Sequence, residues 1–373
     1  MQRESFKKIN RRDFLKLCLG TTGYLVAEDV PELFAYDAPV EALHYIKDPK
    51  NTIKCVLCPH QCIISSGERG FCRARENKNG KLYSIVYGKL CAVHSDPIEK
   101  KPLFHVYPGS NSFSLASVGC NLRCKFCQNW QISQAKPADV QAVKLTSDVL
   151  VAKAVQSGCK TIAYTYTEPT VYYEYMLDVA KIAKKNNIAS VLHSNGFINP
   201  DPLQELLPYV TAMNVDLKGF TNEYYAEICS GNLPSVLNSL KIIKQMDVWL
   251  ELTNLVIPTL NDQSDNIKRM SAWILKELGD DVPVHFSRFF PMYKLAKLPP
   301  TTLSTLEQAR NTAMSEGLKF VYIGNVPGHS AENTYCPNCN NMIIKRVGYS
   351  VVENNLINNM CSGCKTKISG VWS

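Results

Sequence analysis

The chain has 373 residues, 45% of them apolar and 20% charged; this suits about two or three domains of roughly 100–200 residues and excludes a mainly disordered chain. No apolar run approaches the roughly 18 residues that a membrane-spanning helix needs. The net charge of +8 sits mostly at the ends, with six basic and two acidic side chains in residues 1–16 and four and one in residues 336–373, so the central body lacks the broad basic footprint of a nucleic-acid binder.

In chain order, residues 1–40 read as a leader. Asn10-Arg11-Arg12-Asp13-Phe14-Leu15-Lys16 followed by the mildly apolar Leu17–Ala27 resembles a twin-arginine export signal; the alternative is a basic amphipathic leader that stays attached, since no clean Ala-x-Ala site stands near Ala27. Residues 41–108 form a Cys-rich, loop-rich module. Its last part is the turn-rich run Asp96–Leu103, and Pro108-Gly109 marks a boundary.

Residues 109–330 alternate short apolar runs with helix-period segments. Strands are expected at Ser112–Gly119, Thr161–Thr165, Ala189–His193, Thr211–Asp216, Val248–Val256, Val282–Ser287 and Leu318–Ile323. Helices are expected at Thr170–Lys185, Pro234–Met246, Asn266–Leu278 and Leu303–Glu316, the last opened by a Ser304/Glu307 capping box. Such alternation predicts a parallel α/β sheet in a barrel or partial barrel, with a doubly wound open sheet as the competing architecture. Residues 331–373 are a small Cys-paired tail.

Fifteen cysteines are present, eleven of them in three tight groups, while Cys18, Cys91, Cys159 and Cys229 stand alone. Grouped Cys-x-x-Cys spacings in a large α/β chain point to metal ligation rather than disulfides. Cys120, Cys124 and Cys127 follow the first expected strand; three thiolates in eight residues suit an iron–sulfur cube that normally takes four, so one iron is left open to a reactive ligand. Cys336, Cys339, Cys361 and Cys364 form two knuckles flanking an expected hairpin of Met342–Lys345 and Tyr349–Val352, as in a zinc ribbon, with a rubredoxin-like iron as the alternative. Cys55, Cys58, Cys62 and Cys72 make a further four-thiol set that suits zinc or an auxiliary iron–sulfur cluster equally, with His60 as a second-shell donor or a substitute ligand.

The triplet Cys-x-x-x-Cys-x-x-Cys with Phe126 before its last cysteine resembles the radical S-adenosylmethionine (SAM) signature. Together with Cys55–Cys62, Gly67–Cys72, Asp96–Leu103, Gly119–Trp130, Tyr164–Thr170, Ser194–Phe197, Asp216–Lys218, His285–Phe289 and the terminal Cys pairs, it is similar to the AmmeMemoRadiSam-system radical enzymes, relatives of pyruvate formate-lyase activating enzymes. The resemblance implies a partial (β/α)6 TIM-like barrel with a Cys-rich N-terminal module and a C-terminal zinc-ribbon-like module. It implies a [4Fe-4S] cluster on Cys120, Cys124 and Cys127, and SAM contacts from Glu168, Ser194, Asn195, Asp216 and Lys218. Only the carboxylate of the family's Gly-Gly-Glu element is kept, in Tyr166-Thr167-Glu168, and the activases' strand-six Pro-Tyr-His becomes Pro291-Met292-Tyr293. His193 reads as a satisfied core or rim histidine, an ordinary ion pair is the plain alternative for Asp216 and Lys218, and His285 and Arg288 face opposite sides of one strand.

The expected activity is an oxidoreductase-type reductive cleavage of SAM to a 5′-deoxyadenosyl radical, which abstracts hydrogen from an unidentified substrate. The alternatives are an activase that installs a glycyl radical on a partner protein, and a non-enzymatic metal-binding scaffold. Implied partners are a low-potential electron donor such as flavodoxin or ferredoxin and an AmmeMemoRadiSam-system protein. Cofactor supply favours the cytoplasm, whereas the leader points to export.

Overall fold

Seven parallel strands and one antiparallel edge strand form the central sheet of the computed structural model, which describes residues 39–373. The twin-arginine-like motif and apolar stretch at residues 10–27 lie outside the described residues. In chain order the sheet strands are β1 (Ala92–Pro97), β2 (Asn111–Ala116), β3 (Thr161–Tyr164), β4 (Ala189–Ser194), β5 (Ala212–Asp216), β6 (Trp249–Val256), β7 (Val284–Arg288) and β8 (Val321–Gly324). Their spatial order is their chain order, β1 antiparallel to β2 and every later pair parallel. A doubly wound sheet would break that order at a switch point, so the architecture is the partial barrel.

Six helices make the crossovers: α1 (Ser147–Gln156), α2 (Tyr173–Lys185), α3 (Pro200–Leu206), α4 (Leu233–Gln245), α5 (Ser264–Leu278) and α6 (Leu303–Ser315). Each buries a stripe at helical spacing, as in Leu233, Val236, Leu240 and Ile243 of α4 or Ile267, Met270, Ile274 and Leu278 of α5. The six βα units thus match the expected barrel, and β8 extends it by one parallel strand. Among the described residues no helix is long and apolar enough to cross a membrane.

Two sequence expectations are corrected. The cap of α6 is Thr302, whose hydroxyl accepts from the Thr305 N–H, rather than a Ser304/Glu307 box. Thr302 has the extended backbone a cap requires, Ser304 already lies inside the helix, and Glu307 turns to His329 at 3.3 Å. The boundary expected at Pro108-Gly109 also falls inside the barrel sheet. β1 pairs with β2 from Ala92 to Pro97, so the sheet begins before residue 109. Beyond β1, Ile98, Leu103 and Val106 pack on Ala163, Val191 and Ala212, which form one row across β3, β4 and β5. Neighbouring strand residues Ile162, Leu192 and Met213 join the helix-facing core instead. Alternation of faces therefore puts this segment on the concave side, as a floor.

The floor is polar and closed. Glu251 of β6 is buried and accepts from the Phe104 and His105 N–H groups, from Trp249 Nε1 and from His285. His105 Nδ1 lies 2.7 Å from the Ser369 carbonyl and Nε2 lies 2.6 Å from Tyr322 Oη. Nδ1 donates to the carbonyl, and burial disfavours the charged form of the ring.

The tail docks here. Its strands β9 (Met342–Val347) and β10 (Ser350–Asn354) form the expected hairpin. From β9 the buried Arg346 reaches the Phe104 carbonyl at 2.7 Å and Thr334 Oγ1 at 2.8 Å, with Glu99 at 3.7 Å. The N-terminal module consists of two small three-stranded antiparallel sheets.

Burial holds the His105 pKa down at about 4, against 6.5 for a free histidine. A histidine whose folded pKa is depressed binds its proton more readily in the unfolded chain, so its contribution to stability is intact above pH 6.5 and lost as the pH falls toward 4. Urea melts at stepped pH should show this loss, of order 3 kcal/mol, and His105→Gln should flatten that part of the profile. An unchanged slope in the variant would assign the pH dependence elsewhere.

Candidate active site

Parallel strands deliver the residues that follow them to one rim. After β2 come Cys120, Cys124 and Cys127; after β3, Glu168; at the end of β4, Ser194 and Asn195; at the end of β5, Asp216 and Lys218. Several of the positions singled out from sequence are in direct contact. Glu168 is buried; its Oε1 accepts from the Thr170 N–H and hydroxyl and from the Ser194 hydroxyl, and its Oε2 accepts from the Asn195 N–H at 2.8 Å. Asn195 Nδ2 donates to Asn121 Oδ1 at 2.9 Å and lies 3.8 Å from Cys120 Sγ. Burial raises the Glu168 pKa despite these donors.

The triplet loop is held by its backbone. The Arg123 and Lys125 N–H groups donate to the carbonyls of Cys229 and Ile228 at 2.8 and 2.9 Å, and the Lys294 N–H donates to the Lys125 carbonyl at 3.0 Å. Gly119 precedes the loop at φ +115°, and a Cβ there would meet the Cys72 carbonyl at 2.8 Å, so glycine is required twice over. Arg123 caps the Cys120 carbonyl and reaches the Phe71 carbonyl, with its guanidinium 4.1 Å from the Phe71 ring.

Asp216 binds Lys218 at 2.8 Å and His193 at 3.0 Å. Burial opposes ionisation of Asp216, but the two neighbours overcome it and hold the carboxyl below the usual carboxylate range. The ion pair allowed by the plain reading is therefore real, and His193 is satisfied by it. Lys218 Nζ also lies 5.7 Å from the centre of the Phe126 ring. His285 belongs to the floor with Glu251, whereas Arg288 donates to the Thr301 carbonyl above it; the two residues do face opposite ways. Tyr293, at the altered strand-six motif, stacks on Trp130 at 5.2 Å.

Sequence reasoning missed Cys229. It stands alone in the chain, yet the turn after β5 brings its buried thiol against Cys124, and that contact together with burial raises the Cys124 pKa well above normal. Burial raises Cys120 and Cys127 as well. Buried thiols in this state ionise when a cationic centre takes them up.

The donor set fits such a centre. Cys120 Sγ accepts from the Leu122 N–H at 3.3 Å, and Cys127 Sγ lies 3.1 Å from Ser133 Oγ. Among the described residues, only Cys336, Cys339, Cys361 and Cys364 form a group of three or more ligand side chains whose donor atoms all lie within 4.8 Å of one another. The triplet is spread more widely than that, which suits a multi-iron cube rather than a single ion. In the tail, Cys336 and Cys364 are 3.5 Å apart and Cys339 and Cys361 3.7 Å, close to the edge of about 3.8 Å that follows from metal–sulfur bonds of about 2.3 Å. Thr366 Oγ1, 3.2 Å from Cys364 Sγ, leads the contacts that lower that thiol's pKa.

The radical SAM superfamily model matches residues 115–270, from β2 into α5. An uncharacterized protein of Methanocaldococcus jannaschii is 48% identical over 330 residues, 88% of this chain and 98% of that protein. A pyruvate formate-lyase-activating enzyme of Clostridium pasteurianum is 24% identical over 170 residues, 43% of this chain and 67% of that enzyme. Among solved structures, a domain of pyruvate-formate lyase-activating enzyme from Bacteroides vulgatus aligns at 16% identity with a TM-score of 0.39, covering 44% of this chain and 99% of that one. With a near full-length relative and the superfamily match lying over the barrel strands that carry these residues, the chain belongs to the radical SAM superfamily, as an enzyme related to the pyruvate formate-lyase activating enzymes.

Proposed function

We propose that this enzyme reductively cleaves SAM at a [4Fe-4S] cluster held by Cys120, Cys124 and Cys127, and that the radical produced abstracts hydrogen from a substrate bound over the barrel mouth. The observation that carries the reading is the convergence of the thiol triplet with Glu168, Ser194, Asn195, Asp216 and Lys218 at the ends of four successive parallel strands. When bound, the cluster supplies the electron that breaks the sulfonium carbon–sulfur bond. The chain's own residues position and shield. Glu168, fixed by four donors, presents a carboxylate to the methionine ammonium. Asn195 spans Glu168 and Cys120, so it sets the distance between the ammonium site and the cluster edge. Asp216 and Lys218 offer one acceptor and one donor to the ribose or carboxylate of the cofactor.

A flavodoxin- or ferredoxin-class protein would deliver the electron, and the cytoplasm supplies both it and SAM. The named activase relatives act on partner proteins, so a glycyl-radical partner is the second reading; a persistent glycyl radical in a co-purifying protein would select it. Motif resemblance supports placement within the AmmeMemoRadiSam group. The tail's four thiols, at single-ion spacing, would hold zinc.

After anaerobic reconstitution with iron and sulfide, dithionite and SAM should release 5′-deoxyadenosine, and Cys124→Ala should abolish it. An intact cluster that yields no 5′-deoxyadenosine would refute the proposed chemistry. Glu168→Gln should keep the cluster absorbance while weakening SAM binding roughly tenfold or more, the loss of one charge-assisted hydrogen bond of about 1.5–3 kcal/mol; unchanged affinity by titration calorimetry would remove Glu168 from the SAM site. Elemental analysis should find one zinc per chain that Cys361→Ser loses, with a lower melting temperature. Iron in its place would identify the rubredoxin-like alternative.

A further inference from the structure

We propose that Cys55, Cys58, Cys62 and Cys72 hold an iron–sulfur cluster rather than a zinc ion. The four side chains line one cavity, with His60, Phe71, Arg75, Asn121 and Thr170 also in its wall. The Phe71 N–H donates to Cys62 Sγ at 3.4 Å. Donors of this kind stabilise bound thiolates. The His60 Nε2 lies 2.7 Å from the Asn121 carbonyl. Four cysteines in one wall supply an all-thiolate set without it.

Spacing separates the two metal classes. The tail's sulfurs sit within 4.8 Å of one another, the size of a single-ion site. No three of the sulfurs of Cys55, Cys58, Cys62 and Cys72 do so among the described residues. A lone zinc would have to draw them together, whereas a cluster spans the wider gap through its bridging sulfides.

Arg75 provides an independent observation. Its side chain is 1% exposed and lines the cavity. Nη2 is used by the Leu43 carbonyl and Glu174 Oε1, but Nε and Nη1 are buried with no partner. Two orphan cationic donors on a residue of this wall favour an anionic occupant, the other oxygen of the Arg75 partner Glu174 being unpaired as well. An all-thiolate cluster is such an anion in both of its redox states. The cavity shares Asn121 and Thr170 with the surroundings of Cys120 and Glu168, so this second redox centre would stand directly behind the SAM site.

The test uses the full chain, purified and reconstituted anaerobically, with Cys120, Cys124 and Cys127 all changed to Ala. This variant should still bind iron and acid-labile sulfide in equal amounts, about two or four of each, beside the tail's metal. It should show visible absorption that bleaches on reduction and an electron paramagnetic resonance signal that SAM does not alter. Adding Cys58→Ser should remove that iron and sulfide while the tail keeps its metal, which separates a lost ligand from a lost fold. Arg75→Gln should make the cluster harder to reduce, a negative shift in midpoint potential. A triplet variant that carries zinc and no acid-labile sulfide at the N-terminal set would overturn the proposal. Failure of the triplet reading would show separately, as wild type and triplet variant would then hold equal iron.

Discussion

Three backbone hydrogen bonds hold the Cys120–Cys127 loop across the barrel mouth, joining Arg123 to Cys229, Lys125 to Ile228 and Lys294 to Lys125. Main-chain bonds place the loop without using its three thiols. The partners come from the turns after β5 and β7, so the loop is fixed to the opposite side of the rim. The same attachment puts Cys229 against Cys124 and sets Asn195 beside Cys120. The rest of the rim chemistry is arranged around that fixed loop.

The barrel is closed from below by its own chain. Ile98–Val106 lies on the concave face, Glu251 gathers donors from it, and His105 and Arg346 tie it to the C-terminal tail. A buried carboxylate is tolerable when its lone pairs are filled, and Glu251 has four donors. The effect is to leave the upper rim as the open end, where Asp216 and His193 remain partly exposed. Through Arg346 and Ser369 the tail is tied to the floor beneath the rim.

Three cysteine groups of similar composition acquire different characters from their surroundings. In the tail, paired knuckles bring four sulfurs to single-ion distance. At the rim three thiols share one loop, with Asn195 Nδ2 3.8 Å from Cys120 Sγ and the Asn195 N–H bonded to Glu168. In the N-terminal module four thiols line an interior cavity together with a buried guanidinium. Ligand count alone does not distinguish these sites; spacing and the charge of the wall do.

The sequence by itself determined the β/α alternation, because periods of 2 and about 3.6 are written in the apolar positions, and it determined the thiol triplet, because its spacing is local. The family resemblance pointed to Glu168, Asn195 and Asp216, which the parallel strands bring to one rim. Only the tertiary structure decided that Asp96–Leu103 leads into a barrel floor rather than a linker, because the floor's partners Glu251 and Ser369 lie far away in the chain. It likewise decided that the solitary Cys229 meets Cys124, and that Arg75, in the wall of the four-thiol cavity, keeps two buried donors without a partner. Local patterns report torsional preference and facing; which distant groups come to neutralise one another depends on how the chain closes on itself, and no short stretch of residues contains that.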